Sequence, residues 1–269
     1  MKEFITRTVT AAFLIAGAYV FIKFLPLVYF SALLFLIISG AVYEFLKLCR
    51  PVAHSKIVIF LNGLLVALSF TFGKPDLLLT MMIAIISTGL FFLFSTRKAE
   101  SLDAFVKDMG IHFLAFFYLY IPLYFLLELK KLGANYLFFL VFVIAIGDSA
   151  AYFLGRAAGK HKIYPVASPK KSLEGLLAAI VFAAIAGWLS LLIFPLAAPV
   201  KFWLASATGG IIGLFSQLSD PVESLFKRAS GKKDSGALLP GHGGILDRLD
   251  SYVFCAPVLF YLVKYFWNR

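Results

Sequence analysis

Charge is scarce in this chain, acidic charge especially. Of 269 residues only 14 are Asp or Glu, against 25 Lys or Arg, and charged side chains make up 14% of the total while 61% are hydrophobic. With a mean hydropathy of +0.92, that balance excludes an ordinary soluble domain with a charged surface. Cysteine is nearly absent. Cys49 and Cys255 have no metal-ligand spacing to another Cys or His, which removes a disulfide framework and a Cys–His zinc site and leaves them as packing residues. The sequence also lacks a G-x-x-x-x-G-K-[ST] loop and a G-x-G-x-x-G after a strand, so Walker-type and dinucleotide-type phosphate binding have no support. It shows no internal repeat and no low-complexity tract.

What is present is long apolar runs. Spanning the hydrocarbon layer takes roughly 20 mostly apolar residues. Nine segments qualify: 4–22, 27–46, 57–73, 77–95, 110–127, 135–154, 173–194, 202–222 and 249–266. Lys2 and Arg7 precede the first run, but no small-residue cleavage pattern follows, so it reads as a membrane helix and not as a secretory signal. The expected fold is therefore an all-α integral membrane protein of about nine transmembrane helices. The N-terminus and the loops after spans two, four, six and eight hold 18 of the 25 basic residues. The positive-inside rule puts them in the cytoplasm, with a polar cavity opening to that side.

The two halves differ. Residues 1–134 read as a membrane scaffold of five spans. There Glu44 lies three residues before Lys47, and the plain reading is a helix-end pair. Residues 135–269 read as the working half, with Gly-, Lys- and Arg-rich cytoplasmic loops at 155–172 and 228–248. Ser224–Asp250, SLFKRASGKKDSGALLPGHGGILDRLD, packs eight charged side chains and a histidine into 27 residues. Charge near lipid is expensive and reads by default as functional.

Asp220 and Glu223 share a helical face, and Glu223 is placed to pair with Lys227. Asp220 has no such local partner and precedes Pro221, which suggests a carboxylate beside a helix irregularity, a plausible hard-cation ligand. Asp247 and Asp250 open the last span three residues apart, after Gly243 and Gly244, with Arg248 on a neighbouring face. Acids at a helix N-terminus complement the macrodipole, which accounts for one of the two. The two acid pairs together would form a magnesium site completed by substrate phosphates. Lys232 and Lys233 suit phosphate oxygens, and His242 reads equally as a ligand, an acid or a loop anchor. Asp148 near the end of span six pairs structurally with Arg156 or Lys160, or joins the chemistry. In Ser168-Pro169-Lys170-Lys171-Ser172, Ser172 is placed to cap the next helix and the two lysines to bind phosphate.

These residues resemble a known family. Ser224–Asp250 fits the signature of phosphatidate cytidylyltransferase, also called CDP-diacylglycerol synthase: S-x-hydrophobic-K-R, four residues, K-D-x-G, two residues, L-P-x-H-G-G-I-x-D-R-L-D. The stretches D-x-x-A-Y-F-x-G-R-x-x-G-K at Asp148–Lys160 and S-P-K-K-S-x-E-G at Ser168–Gly175 are similar to a second motif of that family. Ser216 and Ser219 stand where the family often has glycine, and Ser172 where it usually has threonine.

The resemblance implies an enzyme of phospholipid biosynthesis that transfers CMP from CTP to phosphatidic acid. It further implies dependence on Mg2+, alone or with a second cation, an all-helical homodimer, and residence in the inner (cytoplasmic) membrane among its lipids, without a nucleic-acid partner. Carried onto this sequence, Asp220 and Asp247 are the first metal ligands, with Asp250 and Asp148 for a neighbouring cation. Asp220, Asp247, Lys227 and Arg248 form the catalytic set. Ser168, Lys170, Lys171, Arg228, Lys233, His242, Gly243 and Gly244 bind substrate.

Two rival readings are a transporter and another lipid phospho-transfer enzyme. The first expects interrupted helices in two related halves, whereas the polar groups here gather in the second half. The second, if a CDP-alcohol phosphotransferase, expects a D-x-x-D-G-x-x-A-R array that the sequence lacks.

Overall fold

The computed structural model describes residues 16–49, 56–73, 76–95, 102–195, 200–232, 234–236 and 243–267. These residues are helical nearly throughout: α1 (16–24), α2 (Leu27–Cys49), α3 (Lys56–Phe72), α4 (Leu77–Ser95), α5, α6 (Ala134–Ala158), α7 (Leu173–Ile193), α8 (Phe202–Ala229) and α9. Helix α5 runs as Leu102–Leu114, a π-helical turn at Ala115–Tyr120, and Ile121–Leu132; α9 runs as Leu246–Leu262 and ends in a π-helical turn at Val263–Trp267. Lys162 and Ser172 form an isolated antiparallel β-bridge. Six of these helices are long and apolar enough to cross a bilayer. Helix α3 is shorter, at 17 residues, α8 is rich in Gly, Ser and Thr before the charges that begin at Asp220, and most of the expected first span lies outside the described residues.

Helix ends follow local chemistry. Ser172 caps α7, its hydroxyl oxygen accepting from the Gly175 N–H at 3.3 Å, as the sequence suggested. Helix α8 stops at Gly231, whose φ of 71° is left-handed. The Gly231 N–H then reaches the Arg228 carbonyl and the Lys232 N–H reaches the Lys227 carbonyl, both at 2.9 Å, which closes the last turn on itself. The irregularity expected at Pro221 is not a break, because α8 is continuous through it. A proline costs a helix one N–H and leaves the carbonyl four residues back without its partner; here that carbonyl belongs to Gln217.

Helices α6, α7, α8 and α9 form one bundle, and α5 joins it to α2 and α3 by packing against α9. The α7–α8 seam is built from small residues. A Cβ on Gly187 would strike the Ala205 carbonyl and lie 3.1 Å from Gly209 Cα, and a Cβ on Gly213 would lie 2.6 Å from Ala183 Cβ. Within lipid, burying more apolar surface gives no drive, so close backbone approach supplies the dispersion contacts that hold such a pair. The seam brings the start of α7 and the end of α8 to the same end of the bundle, beside the end of α6 and the start of α9. Near the opposite end of this bundle the Trp267 indole donates to Thr208 Oγ1 at 3.0 Å.

Candidate active site

Where those four helix ends meet, a cavity of about 860 Å³ opens, lined by Asp148, Lys171, Gln217, Asp220, Asp247 and Asp250 among others. Its volume falls in the range of about 300–1,000 Å³ usual for small-ligand sites. Each helix delivers one element. Asp148 comes from the second half of α6, Lys171 from just before α7, Asp220 from α8 and Asp250 from α9. Arg156, Lys162 and Lys170 extend the wall with positive charge.

Lys171 is held by two oxygens of α8. Its Nζ lies 3.0 Å from Asp220 Oδ2 and donates to the Gln217 carbonyl at 3.3 Å, the acceptor that Pro221 leaves open. Asp148 pairs with neither Arg156 nor Lys160. Its Oδ1 accepts from Ser216 Oγ and Gln217 Nε2, each at 2.7 Å, while Arg156 donates to the Tyr152 hydroxyl at 3.3 Å. The correction is geometric: Asp148 faces α8 across the bundle, so its partners come from the neighbouring helix.

Glu223, 0% exposed, takes Lys227 at 2.5 Å, as the i,i+4 spacing suggested. Lys227 also donates to Asp247 Oδ1 at 2.7 Å. Asp247 Oδ2 accepts from the Ser235 and Gly244 N–H groups, at 3.2 and 3.0 Å, and from Ser235 Oγ at 2.9 Å. Both Asp247 oxygens are thus supplied with donors. Asp220, Glu223 and Asp250 instead form a cluster in which one ligand atom from each lies within 4.8 Å of the others. Glu223 Oε1 is buried with no hydrogen-bond donor among the described residues, and so is the hydroxyl of Tyr118 in the π turn of α5. A buried carboxylate oxygen that is left bare fits a hard cation, which takes oxygen ligands.

The remaining predicted residues fall into three groups. Lys170 lines the cavity, and Ser168 lies in the turn before it, its carbonyl accepting the Lys171 N–H at 3.1 Å. Arg228 and Arg248 are exposed on the last turn of α8 and the first turn of α9. Gly243 and Gly244 precede α9, and Lys233 and His242 lie outside the described residues.

The sequence reading missed Glu44. It does not pair with Lys47, whose ammonium sits 4.5 Å from the centre of the Tyr43 ring. Glu44 is 1% exposed, and its Oε2 accepts from the Leu246 N–H at 2.9 Å and from Ser235 Oγ at 3.1 Å. Glu223 was seen as a partner of Lys227 but not as a cluster member, although its three-residue spacing from Asp220 announced a shared face. Gln217, likewise three residues from Asp220, was legible on the same grounds.

Comparison with known proteins agrees with this chemistry. A phosphatidate cytidylyltransferase of Bacillus subtilis is 32% identical over 273 residues, covering 99% of this chain and 98% of that protein. Proteins of the same name from Staphylococcus saprophyticus and Staphylococcus aureus are 38% and 40% identical over 167 and 154 residues. Those alignments take in 61% and 57% of this chain, and the chain spans 61% and 55% of those two relatives. The sequence profile described as the Cytidylyltransferase family matches residues 5–266, and the chain belongs to that family.

Proposed function

We infer that this protein is a phosphatidate cytidylyltransferase, which joins the phosphate of phosphatidic acid to the α-phosphorus of CTP. A phosphatidate oxygen forms the new P–O bond, the bond to the bridging oxygen of the leaving group breaks, and pyrophosphate departs with that electron pair. CDP-diacylglycerol remains. The nucleophile is an already ionised phosphate, so no serine or cysteine is needed. The task is to bring several negative charges into one place, and preorganised cations aimed at the developing charge perform it.

The observation that carries this reading is the convergence of Asp148, Lys171, Asp220 and Asp250, from four separate elements, on one cavity at one end of a membrane bundle. Asp220 and Asp250 would hold Mg2+, with Glu223 beside them and Asp148 facing a neighbouring cation. Bound there, Mg2+ supplies Lewis-acid charge neutralisation to phosphate oxygens. Asp247 lines the same cavity and fixes Lys227, and the second lone pair of its Oδ1 would be left for an ion. Lys170, Lys171 and Lys162 receive phosphate oxygens. The family resemblance assigns Arg228, Lys233, Arg248, His242, Ser168, Gly243 and Gly244 to substrate binding as well.

The nine apolar runs support nine spans, and the Lys/Arg bias over them supports a cytoplasmic N-terminus and a cavity facing the cytoplasm, within the inner membrane. Homodimeric assembly rests on the family resemblance. The test is incorporation of labelled CTP into phosphatidic acid by the purified protein in mixed micelles, with Mg2+ or with a chelator. Label in CDP-diacylglycerol, lost on chelation, is expected. Absence of product with Mg2+ present, or equal rates with the chelator, overturns the reading.

A further inference from the structure

The N-terminal half contributes more to this site than support. Helix α9 sets the positions of Asp247 and Asp250, yet its N-cap residue, Ile245, makes no side-chain cap. The first N–H groups of a helix need acceptors, and a carboxylate there also meets the positive end of the macrodipole. Glu44 supplies both from α2, some 202 residues away in sequence, through the Leu246 N–H. The same Oε2 accepts from Ser235 Oγ, at the other end of the α8–α9 connection. That hydroxyl has one hydrogen and two carboxylates within reach, Glu44 and Asp247. Asp247 Oδ2, at 2.9 Å, has two N–H donors besides, whereas Glu44 Oε2, at 3.1 Å, has one, the Leu246 N–H.

The fit around Glu44 is close. One helical turn earlier Gly40 makes room for Ile245, whose Cδ1 would lie 2.8 Å from a Cβ there, and Phe45 meets Phe226 of α8 edge-on at 5.3 Å. A Cβ on Gly236 would collide with Glu44 Oε1 and lie 2.7 Å from its Cδ; no other neighbour comes as near. Both donors fall on Oε2, while Glu44 Oε1 is buried with no hydrogen-bond donor among the described residues.

We propose that Glu44 is a positioning residue for cytidylyl transfer: it caps α9 in trans and ties Ser235 to Leu246, holding Asp247 and Asp250 in register with Asp220. The proposal rests on the cytidylyltransferase reading, which the wild-type protein tests by itself in the same assay. Small displacements of reacting groups cost about 100-fold in rate.

The experiment measures kcat, KM for CTP and the thermal midpoint for wild type, Glu44→Ala, Glu44→Gln, Gly236→Ala and Glu44→Ala/Gly236→Ala. Glu44→Ala and Gly236→Ala are each expected to lower kcat by about 100-fold, with KM for CTP and the midpoint nearly unchanged. Glu44→Gln keeps a carbonyl acceptor and should recover most of kcat. The double variant should be no slower than Glu44→Ala, because the new methyl enters the space the carboxylate left. Multiplied losses in the double variant, a full kcat for Glu44→Ala, or a Gln variant as slow as Ala each overturn the proposal. Should Glu44→Ala fail to fold, a fast Gln variant beside a slow Gly236→Ala supports it, and the reverse order overturns it.

Discussion

Replacing Lys227 by methionine isolates the electrostatic core of the site. Methionine keeps the length of the apolar stem and removes the charge. Lys227 Nζ lies 2.5 Å from Glu223 Oε2 and 2.7 Å from Asp247 Oδ1, so its loss leaves two carboxylates without their cation. Breaking a buried pair by removing one member costs about 3–5 kcal/mol, because the survivor keeps its charge uncompensated. The lower end of that range applies here. Asp247 retains the N–H groups of Ser235 and Gly244, and only Glu223, fully buried, is stranded. At about 2–4 °C per kcal/mol for a chain of this size, the unfolding midpoint falls by roughly 6–12 °C. Glu223→Gln added to Lys227→Met removes the stranded charge and recovers more than half of the loss. The assay is thermal unfolding in one detergent, followed by tryptophan fluorescence on monodisperse protein. A Lys227→Met midpoint within about 2 °C of wild type, or a double variant less stable than the single, refutes the reasoning.

Three further outcomes are expected. Asp220→Asn and Asp250→Asn each remove a charge from the three-carboxylate cluster and should lower CTP-dependent turnover by about 100-fold or more while raising the Mg2+ concentration needed for half-maximal rate; an unchanged Mg2+ titration in both would place the ion elsewhere. Gly209→Leu drives a side chain into the Ala183 carbonyl and should abolish the monodisperse peak in size-exclusion chromatography, whereas Gly89→Leu, in open space on α4, should leave the peak intact. Lys232→Cys, at the exposed end of α8 in a background lacking Cys49 and Cys255, should react with an impermeant maleimide in inverted vesicles and not in right-side-out ones; the opposite pattern reverses the assigned orientation.

The site was legible in sequence where its chemistry is local. Glu223 and Lys227 follow helical spacing, and Ser172 sits where a cap must be, so each of these contacts could be written down from position alone. Interhelical partners were not legible. Asp148 had Arg156 and Lys160 as the nearest cations in sequence, yet its oxygens turn to Ser216 and Gln217 because α6 presents that face to α8. Glu44 had a ready local partner in Lys47, and nothing in a linear pattern marks acceptors needed 191 and 202 residues later. Proline at 221 read as an interruption because pattern rules register the missing N–H and not the carbonyl it liberates. The division into scaffold and working halves likewise followed composition, which is blind to a single carboxylate reaching from one half into the other.

That liberated carbonyl has a consequence of its own. A side-chain ligand can rotate away or take up a proton, but the seat Gln217 offers to Lys171 is covalently determined, since a ring nitrogen has no hydrogen at any pH. The lysine therefore waits in place, its flexible stem already restrained by the folded protein. If Lys171 receives nucleotide phosphate as proposed, its immobilisation entropy was lost once, at folding, and need not be lost again at every turnover.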